Sequence, residues 1–161
     1  MPPESQDKIT ADIHEYLVFL LGEESYAINI LCVREIRAYD SVTAIPNAPE
    51  FIKGVINLRG DIVPIYDLRI RFRCSSVDYG VLTTVIILAI GSRIVGVVVD
   101  GVSNVIMLAN TDIYPSPDFS ASFDTSYIKG LAEIEGRTCI IADILSLMSS
   151  PDLDTRADCQ P

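Results

Sequence analysis

GVINLRGDIVPIYDLR, residues Gly54–Arg69, decides how this chain is read. An apolar run, Gly54–Leu58, is broken once by Arg59-Gly60 and resumes at once as Asp61–Tyr66. Two apolar segments separated by two residues, one of them a glycine that tolerates positive φ, spell a β-hairpin. Pro64 has no N–H to give a ladder, so the second strand is expected to be an edge, or bulged, at that point. The strands are expected to be buried. The guanidinium of Arg59 at the turn then has two possible uses. It reaches out to an acidic or carbonyl group on a partner, or it braces the hairpin internally, for instance against Asp67.

Further hairpins flank this one. Glu15–Leu21 is apolar on both faces and reads as a buried strand, Gly22-Glu23-Glu24 as a turn, and Ser25–Ile30 as a half-buried strand that alternates Tyr26, Ile28 and Ile30 with Ser25, Ala27 and Asn29. Cys32–Ile36 and Val42–Ile45 are further strands, and Pro49 opens a short helix through Lys53. Beyond Arg69–Val77, Thr83–Ile90 and Ile94–Val99 pair across Gly91-Ser92-Arg93, followed by a strand Val102–Ala109. Ile113–Phe119, with two prolines, is an extended loop. Tyr127–Ile134 and Arg137–Ala142 pair across Glu135-Gly136, and Asp143 caps a short closing helix through Met148. About ten strands are too many for one small barrel, so two barrels sharing a core are expected, five strands before the Arg69–Val77 crossover and five after it. Residues 1–12 and 150–161 are polar and read as tails around one domain spanning 13–149.

The 161 residues carry a formal charge of −10. That argues against DNA, RNA and anionic membranes as partners. The balance is uneven, because Arg34, Arg37, Lys53, Arg59, Arg69, Arg71 and Arg73 outnumber Glu35, Asp40, Glu50, Asp61 and Asp67 in residues 34–73. This is either scatter on solvated faces or a basic patch for an acidic protein partner. Four scattered cysteines and one histidine lack the spacing of a zinc site, and Cys32 and Cys139, in apolar runs, read as small core residues. The polar first twelve residues do not read as a signal peptide, and no apolar run approaches the ~20 residues of a membrane span. A cytoplasmic protein is expected. There is no GxSxG, P-loop or GxGxxG motif, and the histidine has no nucleophile in sight. Asp100, before Gly101, reads as a turn former, and Tyr66 as a core or rim residue.

The longer stretch VREIRAYDSVTAIPNAPEFIKGVINLRGDIVPIYDLRIRF (Val33–Phe72) closely resembles the CheW family of bacterial chemotaxis adaptors. So do EYLVFLLGEESYAINI (Glu15–Ile30) and IVGVVVDGVSNVI (Ile94–Ile106). The resemblance implies an all-β fold of two five-stranded, SH3-like barrels around one hydrophobic core, with short helices. It implies an adaptor that catalyses nothing and needs no cofactor or metal. The implied partners are the cytoplasmic signalling tip of methyl-accepting chemoreceptors, a helical hairpin bundle, and the regulatory domain of the histidine kinase CheA, in arrays under the inner membrane. A close alternative is an adaptor for an array that controls twitching or gliding. On the receptor side the resemblance implies Val33, Glu35, Ile36, Gly54, Arg59, Gly60, Gly96, Val102, Ser103 and Val105. On the kinase side it implies Tyr114 and Phe119. Val33, Ile36, Val102 and Val105 also read as plain core, and Gly54 and Gly96 as backbone necessities. Ala38, Tyr114 and Cys32 depart from the family pattern.

Overall fold

Several strand runs of this chain are apolar on both faces, and the fold buries both faces of those strands. The computed structural model describes residues 13–40, 42–71, 79–115, 128–143 and 146. The strands are β1 (Ile13–Leu21), β2 (Glu24–Asn29), β3 (Val33–Ala38), β4 (Ile52–Leu58), β5 (Asp61–Asp67), β6 (Thr84–Ile90), β7 (Arg93–Val99), β8 (Gly101–Ala109), β9 (Ile128–Ile134) and β10 (Arg137–Ala142), with a one-turn helix α1 (Leu68–Arg71) after β5. They form two five-stranded sheets, β8-β1-β2-β10-β9 and β3-β6-β7-β5-β4. Alternate residues face opposite ways along each strand. On one face, Leu17, Phe19 and Leu21 of β1 meet Ile86, Leu88, Val95, Val97 and Val99 of β6 and β7 in a core shared by the sheets. On the other face, each sheet has a cluster drawn from its own strands. Tyr16, Val18, Ala27, Leu108, Ala132, Cys139 and Ile141 form one, and Leu58, Val63, Ile65, Val85, Ile87 and Val98 form the other. A sheet can bury a face against itself only by curling around it, so each sheet is a barrel.

The barrels do not follow the halves of the chain. Five strands precede the Arg69–Val77 stretch and five follow it, but β1 and β2 join β8, β9 and β10, while β3, β4 and β5 join β6 and β7. The cause is parallel pairing. β2 lies beside β10, and β5 beside β7, and parallel neighbours require a crossover rather than a hairpin.

Each barrel repeats the other strand for strand. IKGVINLRG (52–60) and IKGLAEIEG (128–136) share four of nine residues and occupy the same place, β4 with its turn and β9 with its turn. Arg59 and Gly60, and Glu135 and Gly136, all have positive φ, the signature of a two-residue type I′ turn. Even the irregularity recurs. β3 skips a residue between Val33 and Glu35 against β6, and β8 skips one between Val102 and Asn104 against β1. The registers therefore make Val33 the counterpart of Val102, and Ile36 that of Val105.

Several local expectations change. β2 is not half-buried, because Ala27 packs inside its own barrel while Tyr26 and Ile28 face the shared core. Ile30 lies in a 3-10 turn, Ile30–Cys32, rather than in the strand. Val42–Ile45 contributes one bridge, Thr43 to Val55, instead of a strand. Pro49 starts a turn rather than a helix, with Ile52 N–H donating to its carbonyl at 3.0 Å, because β4 begins at Ile52. β5 is an interior strand, not an edge. Val55, opposite Pro64, exchanges both its backbone bonds with Thr43, and pairing to β7 starts only at Ile65, so no ladder partner asks Pro64 for an N–H. Asp143 accepts from the Ser146 N–H and hydroxyl, as a cap would. The rest of that segment, residues 1–12 and 150–161, and Phe119 lie outside the described residues.

Candidate docking site

Gly54 lets the Arg59 hairpin lie flat against the chain that closes its barrel. Its φ is +141°, and a Cβ there would stand 2.0 Å from the Thr43 carbonyl oxygen. Thr43 and Val55 exchange both backbone hydrogen bonds at 2.9 Å. The tip is then carried toward β3, the opposite edge of the sheet, where Arg59 Nη2 donates to Glu35 Oε1 at 2.7 Å. Arg37 stands 3.7 Å from the other Glu35 oxygen. The hydrogen bond from Arg59, with the nearby guanidinium charges, holds the Glu35 carboxyl below its ordinary range, and the carboxylate raises Arg59. Arg59 does brace its hairpin internally, but against Glu35. Asp67 is buried elsewhere, and Gly60 only completes the turn, its N–H donating to Asn57.

β3 and β8 are edge strands, one in each barrel. Val33 and Ile36 sit opposite Leu88 and Ile86, and Val102 and Val105 opposite Phe19 and Leu17, all four of those partners in the shared core. These β3 and β8 residues therefore share the core-facing side of their strands. Val33 and Val102 pack against the shared core, whereas Ile36 and Val105 are 45% and 47% exposed. Met107, opposite Glu15 on the same side, is 65% exposed. The shared core thus surfaces along both edge strands as an apolar strip. Ser103, the skipped residue of β8, is exposed beside it, and the skipped residue of β3 is Arg34, also exposed.

Two implied residues lie elsewhere. Gly96 is buried in β7, where a Cβ would stand 2.6 Å from Ile65 Cδ1, so it serves packing and has no surface to offer. Gly54 is likewise buried. Tyr114 is exposed and bridges Leu131 of β9 through two backbone bonds, 2.7 and 2.8 Å, the counterpart of the Thr43 bridge.

A buried ionic cluster escaped the sequence reading. Arg69 and Asp67 are both fully buried. The Arg69 fork donates from Nε and Nη2 to the two oxygens of Asp67, each at 3.0 Å, and from Nη1 to Asp100 Oδ1 at 2.9 Å. Tyr79 donates to Asp67 Oδ2 at 2.5 Å and lays its ring 4.7 Å from the guanidinium. Burial works against the Arg69 charge, but the bonds to Asp67 and Asp100 outweigh it and raise its pKa. Arg69 therefore does not belong to the surface basic patch, and Asp100 is more than a turn former. The available signal was two opposite charges, Asp67 and Arg69, two positions apart at the end of an apolar strand.

A CheW-like domain matches residues 15–152. Chemotaxis protein CheW of Klebsiella aerogenes is 51% identical over 139 residues, covering 86% of this chain and 84% of that protein. Chemotaxis protein CheW of Rhizobium meliloti is 36% identical over 138 residues, covering 86% and 89%. The chain belongs to the CheW family. The crystal structure of the scaffolding protein TtCheW from Thermoanaerobacter tengcongensis superimposes with a TM-score of 0.78 at 35% identity, covering 85% of this chain and 93% of that one. The two five-stranded barrels and the chemotaxis adaptor class that the resemblance implied both stand. Among the described residues, no group of three or more His, Cys, Asp or Glu side chains could hold a metal ion. No described helix is long and apolar enough to cross a membrane. What this CheW-like chain offers chemically is an apolar strip with the Glu35–Arg59 pair on one of its two strands.

Proposed function

We propose that this protein couples chemoreceptors to the histidine kinase CheA, and that the strip along β3 and β8 takes the helical signalling tip of the receptor. The supporting observation is that the shared core continues to the surface on the edge strand of each barrel, through Ile36 and Val105. Half-exposed apolar residues on a strip with polar neighbours suit the apolar face of a helix. The Glu35–Arg59 pair fixes the polar side of the β3 half. Tyr114 and Phe119 are assigned to the contact with the regulatory domain of CheA. The protein works as an adaptor, not an enzyme, at receptor arrays in the cytoplasm. FrzA of Myxococcus xanthus, 29% identical over 103 residues, is also similar, but the higher identity to proteins named for chemotaxis favours a chemotaxis array over one for another motility.

The test is binding of the purified full chain to a receptor signalling-tip fragment and, separately, to CheA. Ile36→Glu and Val105→Asp should each abolish fragment binding, keep CheA binding and melt near the wild-type temperature. Loss of both partners by either variant would remove the assignment of the strip to the receptor.

A further inference from the structure

The chain crosses between barrels at two equivalent places, after β2 and after β7. At the first crossing a 3-10 turn leads into β3, and Leu31, the register counterpart of Asp100, is 85% exposed. At the second crossing a single residue, Asp100, separates β7 from β8, and it is held from three directions. Its N–H donates to the Leu20 carbonyl at 2.9 Å. Its Oδ2 accepts from the Gly22 N–H in the β1–β2 turn at 2.6 Å, and its Oδ1 from Arg69 at 2.9 Å. Arg69 belongs to the β3–β7 barrel, and Gly22 to the other. The register counterpart of Asp67 is Asp143, and by the same count along the sequence Leu145 stands where Arg69 does. The guanidinium fork thus belongs to one half of an otherwise repeated fold.

Such a fork needs a reason other than stability. Burying charges is costly, and apolar groups of the same volume often serve a fold as well. A guanidinium fork offers geometry, with two parallel bonds fixing its plane and a third nitrogen aimed at a set point. Here the plane is fixed by Asp67 of β5, and the set point is the first turn out of β7.

We propose that Asp67, Arg69 and Asp100 form a clamp that fixes where β8 leaves the β3–β7 barrel, and so sets the position of Val102 and Val105 relative to Val33 and Ile36. Arg69 is a positioning residue. The consequence for binding rests on the docking role proposed above.

Arg69→Met would strand a buried Asp67 charge and risks unfolding the chain. Asp100→Asn acts on the partly exposed arm, leaves the Asp67–Arg69 pair intact, and is the variant of choice. Amide exchange should then quicken about tenfold at Gly22–Glu24 and Gly101–Val105, with β9 and β10 unchanged. The dissociation constant for the signalling-tip fragment should rise about five- to tenfold. Unchanged exchange, or uniform acceleration in both barrels, overturns the clamp. Local acceleration with unaltered fragment binding overturns the positioning role. If the wild-type chain binds no fragment, the docking role falls, and the exchange pattern alone decides the clamp.

Discussion

At the scale of single residues, Arg59 and Glu35 act as a unit. Arg59 is 73% exposed along its side chain and Glu35 28%, so the pair lies at the surface and adds little to folding. Its value is in holding two groups in one geometry. Arg59→Ala and Glu35→Gln are expected to weaken receptor-fragment binding to a similar extent, with unchanged melts. The double variant should be no worse than either single one, a non-additivity that a double-mutant cycle measures directly. If Glu35→Gln is harmless while Arg59→Ala abolishes binding, the guanidinium touches the partner itself. The pair also has a pH signature. The Glu35 carboxyl is lowered in the fold, so its contribution is present above the unfolded carboxylate pKa and is lost as pH falls through the lowered folded value. Cys139 has the opposite sign. Burial pushes its thiol up to about 11, so the neutral form is favoured in the fold. Its contribution is whole below the unfolded thiol pKa of ~8.5 and disappears as pH rises toward the folded value. Melting temperature should fall between those limits, and Cys139→Val should flatten the early part of that fall. An unchanged slope would show that the tyrosines alone govern the alkaline limb.

At the scale of elements, the hairpin and its closing bridge decide whether a barrel forms at all. Gly54 combines a left-handed backbone with a Cβ position overlapping the Thr43 carbonyl, whereas Gly60 has open space around it. Gly54→Ala should therefore cost on the order of 3 kcal/mol, from strain plus displacement of the bridge. That corresponds to a melting point lower by about 6–12 °C. Gly60→Ala should cost clearly less. Thermal melts of both variants decide it, and equal costs would mean that the Thr43 bridge contributes nothing.

At the scale of the whole molecule, the apolar core that holds the fold together is also the one that surfaces on the proposed docking strip. Ile86, fully buried, and Ile36, its cross-strand neighbour, face the same way. Ile86→Ala should lose about 2–5 kcal/mol of stability through the cavity it leaves. Ile36→Ala should melt close to wild type yet bind the receptor fragment severalfold more weakly. A large drop in melting temperature for Ile36→Ala would place it in the core instead of on a docking strip. The internal repeat makes the strip two-part, since each barrel supplies its own edge strand, and the crossing at Asp100 sets one part against the other.

The sequence by itself determined the hairpins and the two-barrel class, because turn chemistry and two-residue periodicity are local properties. Gly60 after Arg59 and Gly136 after Glu135 announce their turns without help from anything distant. Only tertiary structure decided which strands share a barrel, because parallel pairing of β5 with β7 and β2 with β10 leaves no mark at either strand alone. It also decided partners for the charged residues. Arg59 finds Glu35 twenty-four residues away, and Arg69 finds Asp100 at thirty-one. A side chain's role as brace, clamp or contact depends on what the fold brings within about 3 Å of it, a hydrogen-bond distance that spacing along the chain does not encode.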